Sequence, residues 1–194
     1  MNETIWRRRS LMAGGLVFAL GNALHPLEHN DAAYDYATWE AAHLLILLSV
    51  PLLVLGLPTL QHRVPKLALA VATVGLIGLA PGSVIETFIA PTIGADAMED
   101  LAHGGMAAVD GLFGAAFLGG MVTVAWYARR AGGSPAWAPI ALGTATIALL
   151  PALGMTGRAI GVLIITATVV QGLSLTALGA AATARRCAVV PVAA

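Results

Sequence analysis

Four histidines in this sequence each lie within three positions of a carboxylate, and this pairing is the strongest indication of chemistry. Neutral imidazole is the commonest side-chain metal ligand, and a carboxylate can bind the metal or orient the imidazole through its other nitrogen. The same two groups can also exchange protons with a substrate. The four residues are His25, His29, His43 and His103.

Two of these histidines stand on either side of a proline. His25 and His29 enclose Pro26 and Glu28. Residues four positions apart share a face if helical geometry continues, whereas a proline can kink a helix or begin a new turn. Both histidines and Glu28 are therefore candidate metal ligands.

The other two histidines belong to a short internal repeat. Glu40-Ala-Ala-His43 and Asp100-Leu-Ala-His103 have the same pattern at a spacing of 60 residues. Each segment is expected to open a helix that runs in the same direction, which predicts two parallel hairpins related by an axis along the membrane normal. His43 and His103 would then lie on equivalent faces of one bundle, with Glu40 as a further candidate ligand.

Two carboxylates are predicted to lie inside apolar helices. Asp110 follows His103 by seven residues, so it should lie two turns deeper on the same stripe, roughly 10 Å into the helix. Glu86 should lie about one turn inside the outer boundary. An ionisable side chain at such depth is costly unless it is paired or protonated, and it usually has a function. Asp110 and Glu86 are therefore the candidate catalytic residues.

The composition of the chain indicates that helices in a membrane position these side chains. Hydrophobic residues make up 58% of the 194 positions and charged residues only 10%, against roughly 25% charged residues in soluble domains. The mean hydropathy is +0.84. So few charges cannot cover a water-soluble globule, and a net charge of zero gives no indication of a nucleic-acid partner.

Six apolar segments are long enough, or nearly so, to cross a bilayer, which needs about 20 residues. We expect one all-α polytopic membrane domain over residues 1–194, in which spans one to four form a four-helix bundle flanked by a hairpin of spans five and six. The first span also resembles a signal peptide because three arginines precede it. The predicted spans are roughly 10–27, 40–60, 66–90, 101–128, 136–155 and 159–184.

The basic residues predict the orientation of these spans. They stand before span one, between spans two and three, after span four and after span six, and only Arg158 falls on the other side. The positive-inside rule therefore places both termini in the cytoplasm, and the histidines at the outer face of what we expect to be a bacterial plasma membrane. The lipid bilayer is the expected environment of the whole chain.

Haem b is one cofactor that such a site could hold. His43 and His103 would supply the axial imidazoles, with His25 or Met106 as substitutes, since both His and His/Met ligation occur. Protein and haem would then exchange electrons with a redox partner.

A divalent metal ion is the other cofactor that the pattern allows, because Glu-x-x-His pairs on two helices build metal sites in helical bundles. It too would serve a redox role. The candidate ligands are His25, Glu28, His29, Glu40, His43, Glu86 and His103.

Three further functions remain open from the residues alone. A metal-free isomerase or cyclase could use Asp110 or Glu86 as an acid and a histidine as its partner, on a lipophilic substrate that enters from the membrane. A proton-coupled transporter could use histidines and aspartates at stepped depths. An accessory membrane subunit would use the same polar groups only to join helices.

Overall fold

The computed structural model describes residues 3–104, 106–153 and 158–182, and these residues form helices and turns without any strand. A 3₁₀ turn at Leu57–Leu60 extends the third helix, and another at Leu150–Leu153 follows the eighth. The α-helices are α1 Glu3–Leu24, α2 Asp31–Tyr34, α3 Ala37–Gly56, α4 Lys66–Phe88, α5 Ala90–Ile93, α6 Ala95–His103, α7 Ala107–Ala131, α8 Trp137–Ala148 and α9 Arg158–Ala181.

Four of the described helices are long and apolar enough to cross a membrane. They are α3 with its 3₁₀ extension, α4, α7 and α9, whose most apolar windows have mean hydropathies between 1.6 and 2.2. The chain is therefore an α-helical membrane protein. The predicted count of six spans is not confirmed, because α1 carries three consecutive arginines and α8 has only 12 residues.

The six longest described helices pack side by side in a closed ring. α1 packs against α3 and α9, α3 against α4, α4 against α7, α7 against α8, and α8 against α9. The predicted arrangement, a four-helix bundle flanked by a hairpin, is not confirmed, because α8 and α9 close the ring between α7 and α1.

Small residues let α1 approach α3 closely just below the histidines. A Cβ atom at Gly21 would lie 2.9 Å from the carbonyl oxygen of Ala42, closer than such atoms can come. Gly56 makes an equally close approach to the backbone of Leu11 at the other end of the same helix pair. Glycine at these positions therefore brings the end of α1 against α3, as in helix pairs packed in lipid.

The region predicted as the start of span four has a different structure. α6 ends at His103, and α7 begins only at Ala107, because the backbone at Gly104 leaves the helical region with φ −95° and ψ −115°. The prediction that Asp110 continues the stripe of His103 along one helix is therefore wrong. Asp110 lies in the first turn of α7 and is exposed.

Candidate metal centre

Four titratable side chains from three separate parts of the chain come together at one end of the helical ring. His25 and His29 lie in the segment after α1, His43 in the second turn of α3, and Glu86 in the last turn of α4. One nitrogen or carboxylate oxygen from each lies within 4.8 Å of those of the other three. Among the described residues, this is the one group of three or more potential ligands with such spacing.

The segment that carries His25 and His29 is shaped by Pro26. A residue before proline is disfavoured in helical conformation, and α1 accordingly ends at Leu24. The backbone N–H of His25 still donates to the carbonyl of Asn22, 3.2 Å away, as a last turn. The chain then folds back, so that the two imidazole rings lie 4.9 Å apart between their centroids.

His43 is completely buried and its orientation is fixed. Its Nδ1 lies 2.8 Å from the carbonyl oxygen of Trp39, one turn earlier on α3. Because a carbonyl oxygen can only accept, Nδ1 carries the proton and donates it. The Nε2 atom is left to point at Glu86, whose Oε2 lies 2.8 Å away.

His25 is oriented in the same way. Its Nδ1 lies 2.9 Å from the carbonyl oxygen of Pro26, and its Nε2 lies 3.2 Å from Nε2 of His43. Two imidazole lone pairs and a carboxylate oxygen thus converge on one point, and they repel each other unless a proton or a cation lies between them. Ligand atoms around a tetrahedral metal lie roughly 3.3 Å apart when the bonds are about 2.0–2.1 Å long.

Trp39 connects the parts of the site. Its indole N–H donates to the backbone carbonyl of Glu86 at 2.9 Å, which fixes α4 against α3. Its ring lies 4.3 Å from that of His43 and 5.2 Å from that of His29, measured between centroids. Trp39 is only 2% exposed, so its indole shields the neighbouring faces of the two imidazoles from water.

The opposite side of the site is open. The side chain of His29 is 46% exposed and that of Glu86 is 34% exposed, with His29 Nε2 3.6 Å from Glu86 Oε1. Partial desolvation lowers the pKa of His29, and the opposing attraction of Glu86 is weaker. The lowered pKa of His29 favours the neutral imidazole, which is the form that binds a metal.

The other predicted site residues do not join this group. His103 is exposed, and its Nδ1 donates to the carbonyl of Glu99 on its own helix. Glu28, Glu40 and Asp110 are exposed as well, and Met106 is partly buried outside the group.

Haem is consequently not supported. His43 is enclosed between α1, α3 and α4, whereas His103 ends an exposed helix, so the two predicted axial ligands do not belong to one site. The group of His25, His29, His43 and Glu86 could instead hold a single metal ion.

Sequence reasoning assigned no role in the site to Trp39. A tryptophan at the start of a membrane helix is typical of the interfacial belt. Its position alone therefore does not predict the contact with α4. The spacing of four residues between Trp39 and His43 is the one signal that placed it on the same face.

No protein-family model, no curated protein and no solved structure matches this chain.

Proposed function

We propose that this membrane protein binds one divalent transition-metal ion through His25, His29, His43 and Glu86. The observation that carries the proposal is the convergence of two oriented Nε2 atoms and a carboxylate oxygen at separations of 2.8 and 3.2 Å. Each of the two imidazoles has its other nitrogen bonded to a backbone carbonyl, the arrangement that orients histidine ligands in metal sites.

The donor set narrows the kind of metal. Three imidazoles and one carboxylate suit Zn²⁺, Cu²⁺ or Fe²⁺, whereas Ca²⁺ and Mg²⁺ prefer sites made of oxygen ligands. By intrinsic affinity Cu²⁺ and Zn²⁺ bind such a site most tightly. A redox role, with an electron partner at the membrane surface, requires iron or copper, while Zn²⁺ supplies Lewis-acid chemistry.

The residues at the site have different roles. Trp39 packs on the rings of His43 and His29 and holds the backbone of Glu86, while His43 and His25 are fixed by their carbonyl partners. His29 and Glu86 lie at the open side, where a water molecule or a small ligand can approach. The site is thus buried at His43 and accessible at His29 and Glu86.

Metal titration of protein purified in mild detergent tests this proposal. After treatment with a chelator, one equivalent of Zn²⁺ should bind in calorimetry, and elemental analysis should find one ion per chain. His103→Ala is a matched control, because it removes a histidine that lies outside the group. Binding that survives in His43→Ala, or that is lost equally in His103→Ala, would overturn the assignment.

A metal-free acid–base function is the second candidate, favoured by the 2.8 Å contact between His43 Nε2 and Glu86 Oε2. This pair can share a proton without any metal and can act on a lipophilic substrate from the membrane. The same titration separates the two functions. Protein that binds no metal ion, yet loses turnover of a lipophilic substrate in Glu86→Gln, would favour acid–base chemistry.

We further propose that the site faces away from the cytoplasm, with both termini inside and six helices crossing a bacterial plasma membrane. The distribution of basic residues supports this orientation. Cys187 is the one cysteine of the sequence and lies near the C-terminus. A membrane-impermeant maleimide should therefore label it in lysed cells and not in intact cells.

A further inference from the structure

A cavity of about 480 Å³ lies where α7 ends and α8 begins, at the opposite end of the ring from the metal centre. Contacts along α4 and α7 establish this placement, because Ala72, near the start of α4, packs against Gly120 in the later half of α7. Residues that line the cavity include Trp126, Arg129, Arg130, Ser134 and Pro139.

The charge of this cavity is positive and is not neutralised by the protein. Arg129 and Arg130 are exposed, no acidic residue lines the cavity, and neither arginine forms an ion pair with the described residues. The guanidinium of Arg130 lies 4.4 Å from the ring centroid of Trp126, which holds it at the cavity wall. Two guanidinium groups that line one cavity are suited to a phosphate.

A tight turn and a hydrogen bond determine the backbone conformation beside the cavity. Gly132 and Gly133 have φ angles of +62° and +76°, which turn the chain sharply between the two helices. Arg63, which is 8% exposed, donates to the carbonyl of Gly133 at 3.3 Å. The first turn of α8 follows at once, and Ala136 and Pro139 at its start line the cavity. The hydroxyl of Ser134 adds one more donor.

Two exposed tryptophans indicate the depth of this cavity relative to a membrane. Trp126 near the end of α7 is 54% exposed, and Trp137 at the start of α8 is 55% exposed. Tryptophans at the ends of membrane helices mark the level of the lipid headgroups. A phosphate held by Arg129 and Arg130 would therefore lie at the level where phospholipids carry theirs.

We propose that this cavity binds the phosphate of an anionic phospholipid, with Arg129 and Arg130 as the principal contacts. Basic pockets between membrane helices bind anionic headgroups in this manner. The site is independent of the metal centre, because it uses none of the residues of that centre. A zwitterionic lipid has the same phosphate, but its choline cation is repelled by the two arginines.

Native mass spectrometry of the full chain released from detergent tests this inference. Delipidated protein is mixed with phosphatidylglycerol or with phosphatidylcholine, and retained lipid is counted. Wild-type protein should retain phosphatidylglycerol selectively, and R129Q/R130Q should retain it roughly 30-fold less, since each arginine near the headgroups contributes about five-fold. Arg9→Gln is the control, because it removes an exposed arginine from the same end of the ring.

Each outcome bears on the inference. Loss of selective retention in the double variant, with retention intact in Arg9→Gln, supports it. Equal loss in both would show a general effect of positive charge, and unchanged retention in R129Q/R130Q would show no site; either overturns it. Displacement of the lipid by inorganic phosphate at modest concentration would show a soluble phosphate site in place of a lipid site. Zn²⁺ binding, measured in parallel, verifies that the double variant is folded.

Discussion

The two segments share the four-residue pattern acid-x-Ala-His but differ in the burial of its histidine. His43 is buried and lies beside Glu86, whereas His103 is exposed and bonds only to its own helix. The comparison teaches that the element after such a pattern decides whether its histidine is buried. α3 continues from His43 as an apolar helix packed against α1 and α4.

The segment after His103 does not continue in that way. α6 ends at that residue and has no buried residue, because Gly104 interrupts the helix before α7 begins. His103 therefore cannot be carried into the ring of helices. Experiments on the two segments can test whether this difference in burial is also a difference in function.

Replacement of the two histidines by alanine should give the largest difference. His43→Ala removes a fixed ligand from the buried side of the site, so Zn²⁺ affinity should fall by more than about 100-fold, since even partners behind the ligands contribute roughly 10–100-fold. His103→Ala should leave the affinity unchanged. Calorimetric titration measures both, and equal affinities of the two variants would abolish the distinction between the segments.

Replacement of one carboxylate in each region should give the second-largest difference in metal affinity. Glu86→Gln keeps the size of the side chain and removes its charge, so we expect a loss of roughly 10- to 100-fold in metal affinity. Asp110→Asn is the counterpart on α7 and should have no effect, because Asp110 is exposed outside the group. A larger effect in Asp110→Asn, measured by the same titration, would argue for a second centre near α6 and α7.

Trp39→Phe should have a smaller effect that acts through position. The ring is retained while the hydrogen bond to the Glu86 carbonyl is lost, which should lower the free energy of unfolding by about 1 kcal/mol. Metal affinity should fall by less than in Glu86→Gln. Thermal unfolding in detergent measures the first effect, with Trp6→Phe as the control, because Trp6 is an exposed tryptophan at the start of α1. Identical unfolding of the two variants would contradict the positioning role.

Asp31→Ala should have the smallest effect and would define where the site ends. Its Oδ1 accepts the backbone N–H of Ala95 at 2.8 Å, a side-chain bond that joins the segment after His29 to the start of α6. The variant should lose about 0.5 kcal/mol of local stability, and this loss should be confined to α6. Amide hydrogen exchange should quicken there while Zn²⁺ affinity stays the same. Weaker metal binding in this variant would show that α6 belongs to the centre after all.

Much of the helical architecture could be predicted because long apolar segments leave few alternatives. The third predicted span, 66–90, corresponds closely to α4, and the sixth, 159–184, to α9. The ring could not be predicted, because helices in lipid associate through close backbone contacts that hydropathy does not register. Gly21 and Gly56 are visible in the sequence, but their partners on the neighbouring helices are not.

Part of the site was also predictable. His25, His29, His43 and Glu86 could be selected because polar groups at the ends of apolar helices are costly without a task. The sequence also pointed to His103 and Asp110, because it predicts one continuous helix there. The interruption at Gly104 leaves both side chains outside the group. The contribution of Trp39 required the packing of α4 on α3, which no local pattern contains.

The order of the ligands along the chain has a consequence for biosynthesis. All four lie between residues 25 and 86, on segments that enter the membrane before α7, α8 and α9 are synthesised. The ring closes only when α9 reaches α1. A nascent chain that ends after α4 already contains every side chain of the candidate centre, so the proposed ion can be delivered before the polypeptide is complete.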